Sequence, residues 1–193
     1  YSVRFSMIIV IAGMVLYLSG SAYLREVLFP IAFLVFAIPL PYTLFRSMTF
    51  PLQLFSTKAT YSILTIFGIP ALRQGNIIHL TNYSLEVIEA CSGLRSIITL
   101  SALAAIFSYF SAGGMSKKVF MLGMSIPVAM AANVIRLLVT VFGALIFGPN
   151  FAEGFLHEFS GILVFLVGLA MLFFLGSMMK WIGRKKSIGW SYA

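Results

Sequence analysis

Apolar residues run along this chain in blocks about as long as a bilayer is thick, and the polar residues collect in the gaps between them. A hydrocarbon core of about 30 Å takes about 20 apolar residues in a helix, and several blocks meet that length. The first runs from about residue 5 to 23, flanked by Arg4 and by Arg25-Glu26. A second covers about 27–45, where Pro30, Pro39 and Pro41 predict a kinked or broken end, and Arg46 follows it. The stretch 51–67 is less apolar: Gln53, Lys58 and several Ser and Thr fit either a short span or a helix lying in the membrane interface.

From Ile69 the pattern changes. Arg73-Gln-Gly-Asn76 and Thr81-Asn-Tyr-Ser84 are turn material between short β-like runs built on Ile77, Ile78, Leu80, Leu85, Val87 and Ile88. They predict a small extramembrane hairpin over about 69–90 that delivers the chain to Cys91. Apolar blocks then resume at 94–110, at 118–147 (interrupted by Pro127, Asn133 and Arg136) and at 157–179, before a tail with Lys180, Arg184, Lys185 and Lys186. The fold class expected is an all-α integral membrane protein, a polytopic bundle of five or six spans with an extracytoplasmic β-hairpin, in one domain over 1–193.

Composition agrees. Of 193 residues 61% are hydrophobic and 9% charged, with mean hydropathy +1.04, whereas a soluble domain carries about 25% charged residues. The net charge of +8 comes from basic residues that stand singly or at block ends. They fit topology signals rather than a nucleic-acid groove, so the expected partner is the lipid bilayer and not nucleic acid. Placing the Lys117-Lys118 loop and the tail in the cytoplasm puts the hairpin, Cys91 and the 148–156 link outside. Counting spans backward puts Arg4 and Arg46 inside, and Glu26, Glu86, Glu89, Glu153 and Glu158 all outside. The expected location is the cytoplasmic membrane, with the site facing the exterior. Because the sequence opens on Tyr1, a further N-terminal portion is expected.

This topology brings chemistry-bearing residues to one level. Arg136 lies 18 residues beyond Lys118, roughly 27 Å up a helix, near the outer edge of the hydrocarbon. Cys91 precedes a helix that starts on that side, and His157 opens another. The attacking form of a cysteine is its thiolate, which a helix N-terminus and a nearby cation favour. Cys91 has both in prospect, with Arg95 four residues on and the amides near Gly93 and Leu94 as candidate oxyanion donors. A buried cysteine acting as a small hydrophobe is the plainer alternative. An arginine within a span is a functional candidate by default, and Asn133, three residues earlier on the same face, is placed to hold it. The competing readings are an Arg136 that snorkels to head groups and an Arg95 that pairs with Glu89 or a lipid phosphate. Glu153 is placed to orient His157; His79, inside the hairpin, reads as structural. A single cysteine excludes an internal disulfide, a CxxC redox pair and a thiolate metal cage, and neither a metal nor a cofactor is expected.

The string Leu85-Glu-Val-Ile-Glu-Ala-Cys-Ser-Gly-Leu-Arg-Ser96, then Asn133-Val-Ile-Arg136, then His157 ahead of a last span, resembles the exosortase/archaeosortase family. Ile38-Pro-Leu-Pro41, Pro51-Leu-Gln-Leu54 and Gly68-Ile-Pro70 with Arg73-Gln-Gly-Asn76 are similar too, so the likeness covers most of 38–165. The resemblance implies a sortase-like membrane cysteine protease or transpeptidase. Its partners would be membrane-anchored proteins with C-terminal sorting tails of the PEP-CTERM type. It implies Cys91 as the acyl-thioester nucleophile, Arg136 as proton donor and His157 as transition-state stabiliser, and the histidine points to the bacterial branch. Arginine, however, essentially never deprotonates, which favours His157 as the proton shuttle and Arg136 as a fixed cation; the division stays open. The reading from another class is a transport or exopolysaccharide-export subunit with Arg136 lining a pathway.

Overall fold

The computed structural model describes residues 2–81, 84–88, 91–110, 114–148 and 155–188, with the side chains of 155–160 and 179–188 outside the described set. Helix α1 covers Ser2–Phe33, broken where Gly20 takes φ 79 and ψ 174, values a helix cannot hold. A 3-10 turn, Leu34–Ala37, ends it. Pro39 and Pro41 follow, and α2 (Tyr42–Ile66) starts afresh behind Pro41. The chain thus breaks at Gly20, three residues ahead of the expected end of the first span at about 23, and again at the prolines, which remove amide donors and fix φ.

Helix α2 accounts for the ambiguity of 51–67. Its buried positions are Thr49, Gln53, Ser56, Thr57, Thr60 and Leu64, a stripe at three- and four-residue spacing that is polar except at its end. The hydroxyls of Thr49 and Thr57 return to the carbonyls of Phe45 and Gln53, each at 2.7 Å, which lowers the cost of burying them. Among the described residues, three helical stretches are long and apolar enough to cross a membrane: Val3–Ala37, Met115–Phe147 and Gly161–Met178. Leu94–Phe110 is a shorter apolar helix, and α2 is not among the membrane-length set.

After α2 the expected hairpin forms and gains a third strand. β1 (Ala71–Gln74), β2 (Ile77–Leu80) and β3 (Ser84–Glu86) make an antiparallel sheet in that order, with Arg73 opposite Ile78 and Ile78 opposite Leu85. One face carries Ile78, Leu80, Leu85 and Val87 onto Leu64 of α2 and onto Leu137 and Val141 of α4 (Met115–Phe147). Taking such a side chain out of water is worth about 1.5–3 kcal/mol, so this small core pins the sheet to two helices. His79 stays within the sheet, its Nδ1 2.8 Å from Ser84 Oγ, in keeping with a structural part.

Helix α3 (Leu94–Phe110), α4 and α5 (Phe155–Ile188) pack together. Leu100 and Ala104 of α3 meet Val128 and Ala129 of α4 and Leu172 of α5. Ser101 Oγ and Ser125 Oγ hydrogen-bond across α3 and α4 at 2.9 Å. A Cβ on Gly168 would collide with Leu100, so α5 closes on α3 where it lacks a side chain. Large apolar side chains face outward on α1 (Ile9, Tyr17, Leu18), α4 (Val119, Phe120) and α5 (Phe173, Phe174). That is an aggregation surface in water and a lipid face in a bilayer.

Arg46 lies close to the sheet, not a helix length away from it as the span count implies. It lines one cavity with Asn76 and Glu86, so it shares the sheet's side of the molecule.

Candidate active site

Cys91 is half-buried and free. Its N–H donates to the carbonyl of Ile88 at 2.9 Å, which ties it to the end of the sheet. Just beyond, Leu94 N–H donates to Ser92 Oγ at 3.3 Å and Ile97 N–H to Gly93 O at 2.9 Å, the first bonds of α3. Cys91 thus stands three residues ahead of the start of α3, where Ser92 engages a first-turn amide. The Leu94 amide, a candidate oxyanion donor by sequence, is engaged by Ser92.

Three stretches of chain converge on one carboxamide. Asn133 is fully buried. Its Nδ2 donates to the carbonyl of Cys91 at 3.0 Å and to Ser56 Oγ at 3.1 Å, and its Oδ1 accepts from Arg136 Nη2 at 2.9 Å. The partners leave the amide one orientation, since a guanidinium can only donate and a backbone carbonyl can only accept. Asn133 and Arg136 lie three apart on α4 and share a face. Ser56, from the polar stripe of α2, fixes the other end.

Arg136 is only 7% exposed. Its Nε has no hydrogen-bond partner among the described residues. A buried cation with a donor to spare calls for an explanation; an acceptor that arrives with substrate is one.

Gly93 closes the cluster from the other side. Its φ is +87, and a Cβ there would lie 2.9 Å from Asn133 Cγ and 3.1 Å from Asn133 Nδ2. Glycine is required both by the left-handed backbone and by the approach of the carboxamide.

The remaining candidates are placed less closely. Arg95 is exposed, and its side chain makes no hydrogen bond among the described residues; Glu89, its suggested partner, lies outside them. The side chain of His157 and all of Glu153 also lie outside them. The backbone of His157 is in the first turn of α5. Gly168, packed on Leu100, is 11 residues further along α5, about 16 Å. Leu94 is six residues back from Leu100 along α3, about 9 Å, with Cys91 beyond it. The helix rises thus bring the start of α5 to about the level of the thiol. Sequence reasoning missed Ser56. The signal was present: Ser and Thr recurring every three or four residues along an apolar helix mark the face turned to the protein interior.

A sequence model of a family described as transmembrane exosortase matches residues 1–174 of the chain. Neither a curated relative nor a solved structure matches it.

Proposed function

The chain belongs to the transmembrane exosortase family, which supports a membrane-embedded, protease-like role, and from that premise we propose that Cys91 is the nucleophile of a cysteine protease or transpeptidase acting on C-terminal sorting signals. The observation that carries the reading is the clamp at Asn133, which gathers the Cys91 backbone and the Arg136 guanidinium from two distant segments.

In this reading the Cys91 thiolate attacks the carbonyl carbon of the scissile peptide bond. The carbonyl oxygen becomes an oxyanion, and Arg136, fixed by Asn133 and with donor capacity left, holds the developing charge. A donor already in place needs little reorganisation as charge develops. The C–N bond then breaks, and the leaving amine takes a proton from His157, which on physical grounds is the better proton carrier. The thioester on Cys91 is opened by water or by an amine, the attacking group gives its proton to His157, and the sulfur leaves as the thiolate, which restores the starting state. The substrate's apolar tail lies in the bilayer beside the bundle, so a site at the membrane edge meets the bond just ahead of that tail.

The test is a reporter whose C-terminal sorting signal, apolar helix and basic tail are processed by the wild-type chain. Cys91→Ala is expected to abolish processing while the protein stays in the membrane at wild-type abundance. Processing at the wild-type rate by that variant overturns the reading.

A further inference from the structure

Next to the cluster lies a cavity of about 310 Å³ walled by Arg46, Phe50 and Gln53 of α2 and by Asn76, Glu86 and Ile88 of the sheet region. That is the small end of ligand pockets, which run about 300–1,000 Å³; it suits a few residues of extended chain rather than a folded partner. It adjoins Cys91 by two routes. Ile88, on its wall, accepts the Cys91 N–H at 2.9 Å. Gln53, on the opposite wall, is one helical turn from Ser56, which bonds the same Asn133 amide that grips the Cys91 carbonyl.

The polar groups on these walls are not equally free. The Asn76 side chain donates to Val87 O at 3.3 Å. Gln53 is different: it is 7% exposed, its side chain lines the cavity, and its carboxamide makes no hydrogen bond among the described residues. Its amide atoms are not among the sealed-off, unpartnered polar atoms of the described residues, so the carboxamide stays reachable and can take up a partner. It offers one acceptor and a donor pair, the complement of a peptide group. Phe50 and Ile88 supply apolar walls around it. β3, which leads through Glu86 to Ile88, is an edge strand of the sheet, and an edge strand is a surface along which an extended peptide can lie.

We propose that this cavity is the recognition subsite for the stretch of substrate chain next to the scissile bond, with Gln53 pairing a backbone peptide group of an extended segment and Phe50 and Ile88 bounding the side chains it admits. The inference rests on the proposed function and deepens it. Cys91 and Arg136 act on the bond; Gln53 and Ile88 decide which sequence is presented to them.

The probe is an exported reporter followed by six randomised residues, an apolar helix and a basic tail. The full wild-type chain in membranes selects the cleaved members, and the best of these becomes the assay substrate. Gln53→Leu, close in size but without the carboxamide, is expected to raise KM about tenfold, the worth of one hydrogen bond in a desolvated site, with kcat within about twofold. The same change placed on Cys91→Ala is expected to weaken binding of the uncut substrate by the same factor. Ile88→Trp, at an exposed position on the cavity wall, is expected to fill the cavity, raise KM and narrow the selected sequences at one or two adjacent positions, at wild-type abundance in the membrane. Unchanged KM, binding and selected sequences in both variants overturn this inference and leave the proposed function standing, provided that Cys91→Ala is inactive. A fall in kcat alone also overturns it. A library that the wild-type chain leaves uncut overturns both readings.

Discussion

Gly93 and Asn133 fit each other so closely that a single added carbon on the glycine would stand 2.9 Å from the asparagine's Cγ. The consequence is a coupling between the turn that carries Cys91 and the α4 face that carries Arg136. Gly93→Ala meets two penalties, a strained left-handed φ of about 1–3 kcal/mol and displacement of the Asn133 amide. The expected result is a lower melting temperature in detergent together with a loss of about 10²-fold in reporter cleavage, as for a misplaced reacting group. Wild-type melting and cleavage would show that the amide tolerates displacement.

The Asn133 amide makes three hydrogen bonds with three different partners, so its replacements rank in a definite order. Asn133→Asp keeps an acceptor for Arg136 but turns an acceptor toward the Cys91 carbonyl, and is expected to lose about 10²-fold in cleavage, as much as Asn133→Ala. Ser56→Ala removes one contact at the far end and is expected to cost no more than about tenfold. Cleavage rates of the three variants, normalised to membrane abundance, check the order.

Arg136→Lys tests whether charge alone is enough. A lysine keeps the cation but has neither the planar fork nor the spare Nε donor. The expected loss is about 10²–10³-fold, the usual effect of removing one transition-state donor, with the protein still inserted. Substantial activity in the lysine variant would mean that the planar fork and the spare Nε donor are dispensable.

Orientation has a direct readout. Membrane-impermeant maleimide added to intact cells is expected to label Cys91, because the half-buried thiol sits at the sheet end of α3 rather than at the Lys117-Lys118 end of α4. The same reagent separates the enzyme from a transport or export subunit. In the enzyme, blocking Cys91 stops reporter processing; in a transporter that uses Arg136, it leaves the activity intact.

Much of this architecture was legible in the sequence because its causes are local. Bilayer-length apolar blocks, turn residues around a β-like run and the Asn133–Arg136 spacing each predict their own element. Two things were not legible. The closeness of Arg46 to the sheet was one, because hydropathy counts apolar residues without showing that the chain folds the sheet back along α2. The partner of Ser56 was the other: the Ser and Thr spacing marks the buried face of α2, but the contact with Asn133, 77 residues away, is not in any local pattern. The pairing of Arg95 with Glu89 lies outside the described residues, because Glu89 is not among them.

The central claim, that Cys91 forms a covalent bond to substrate, is tested most directly by trapping. Wild-type protein mixed with a cleavable reporter, quenched in acid and analysed by intact and peptide mass is expected to carry the reporter's N-terminal fragment on Cys91 as a thioester that neutral hydroxylamine releases. Processed reporter with Cys91 unmodified at every time point, and with the Cys91→Ala variant still active, would contradict the account.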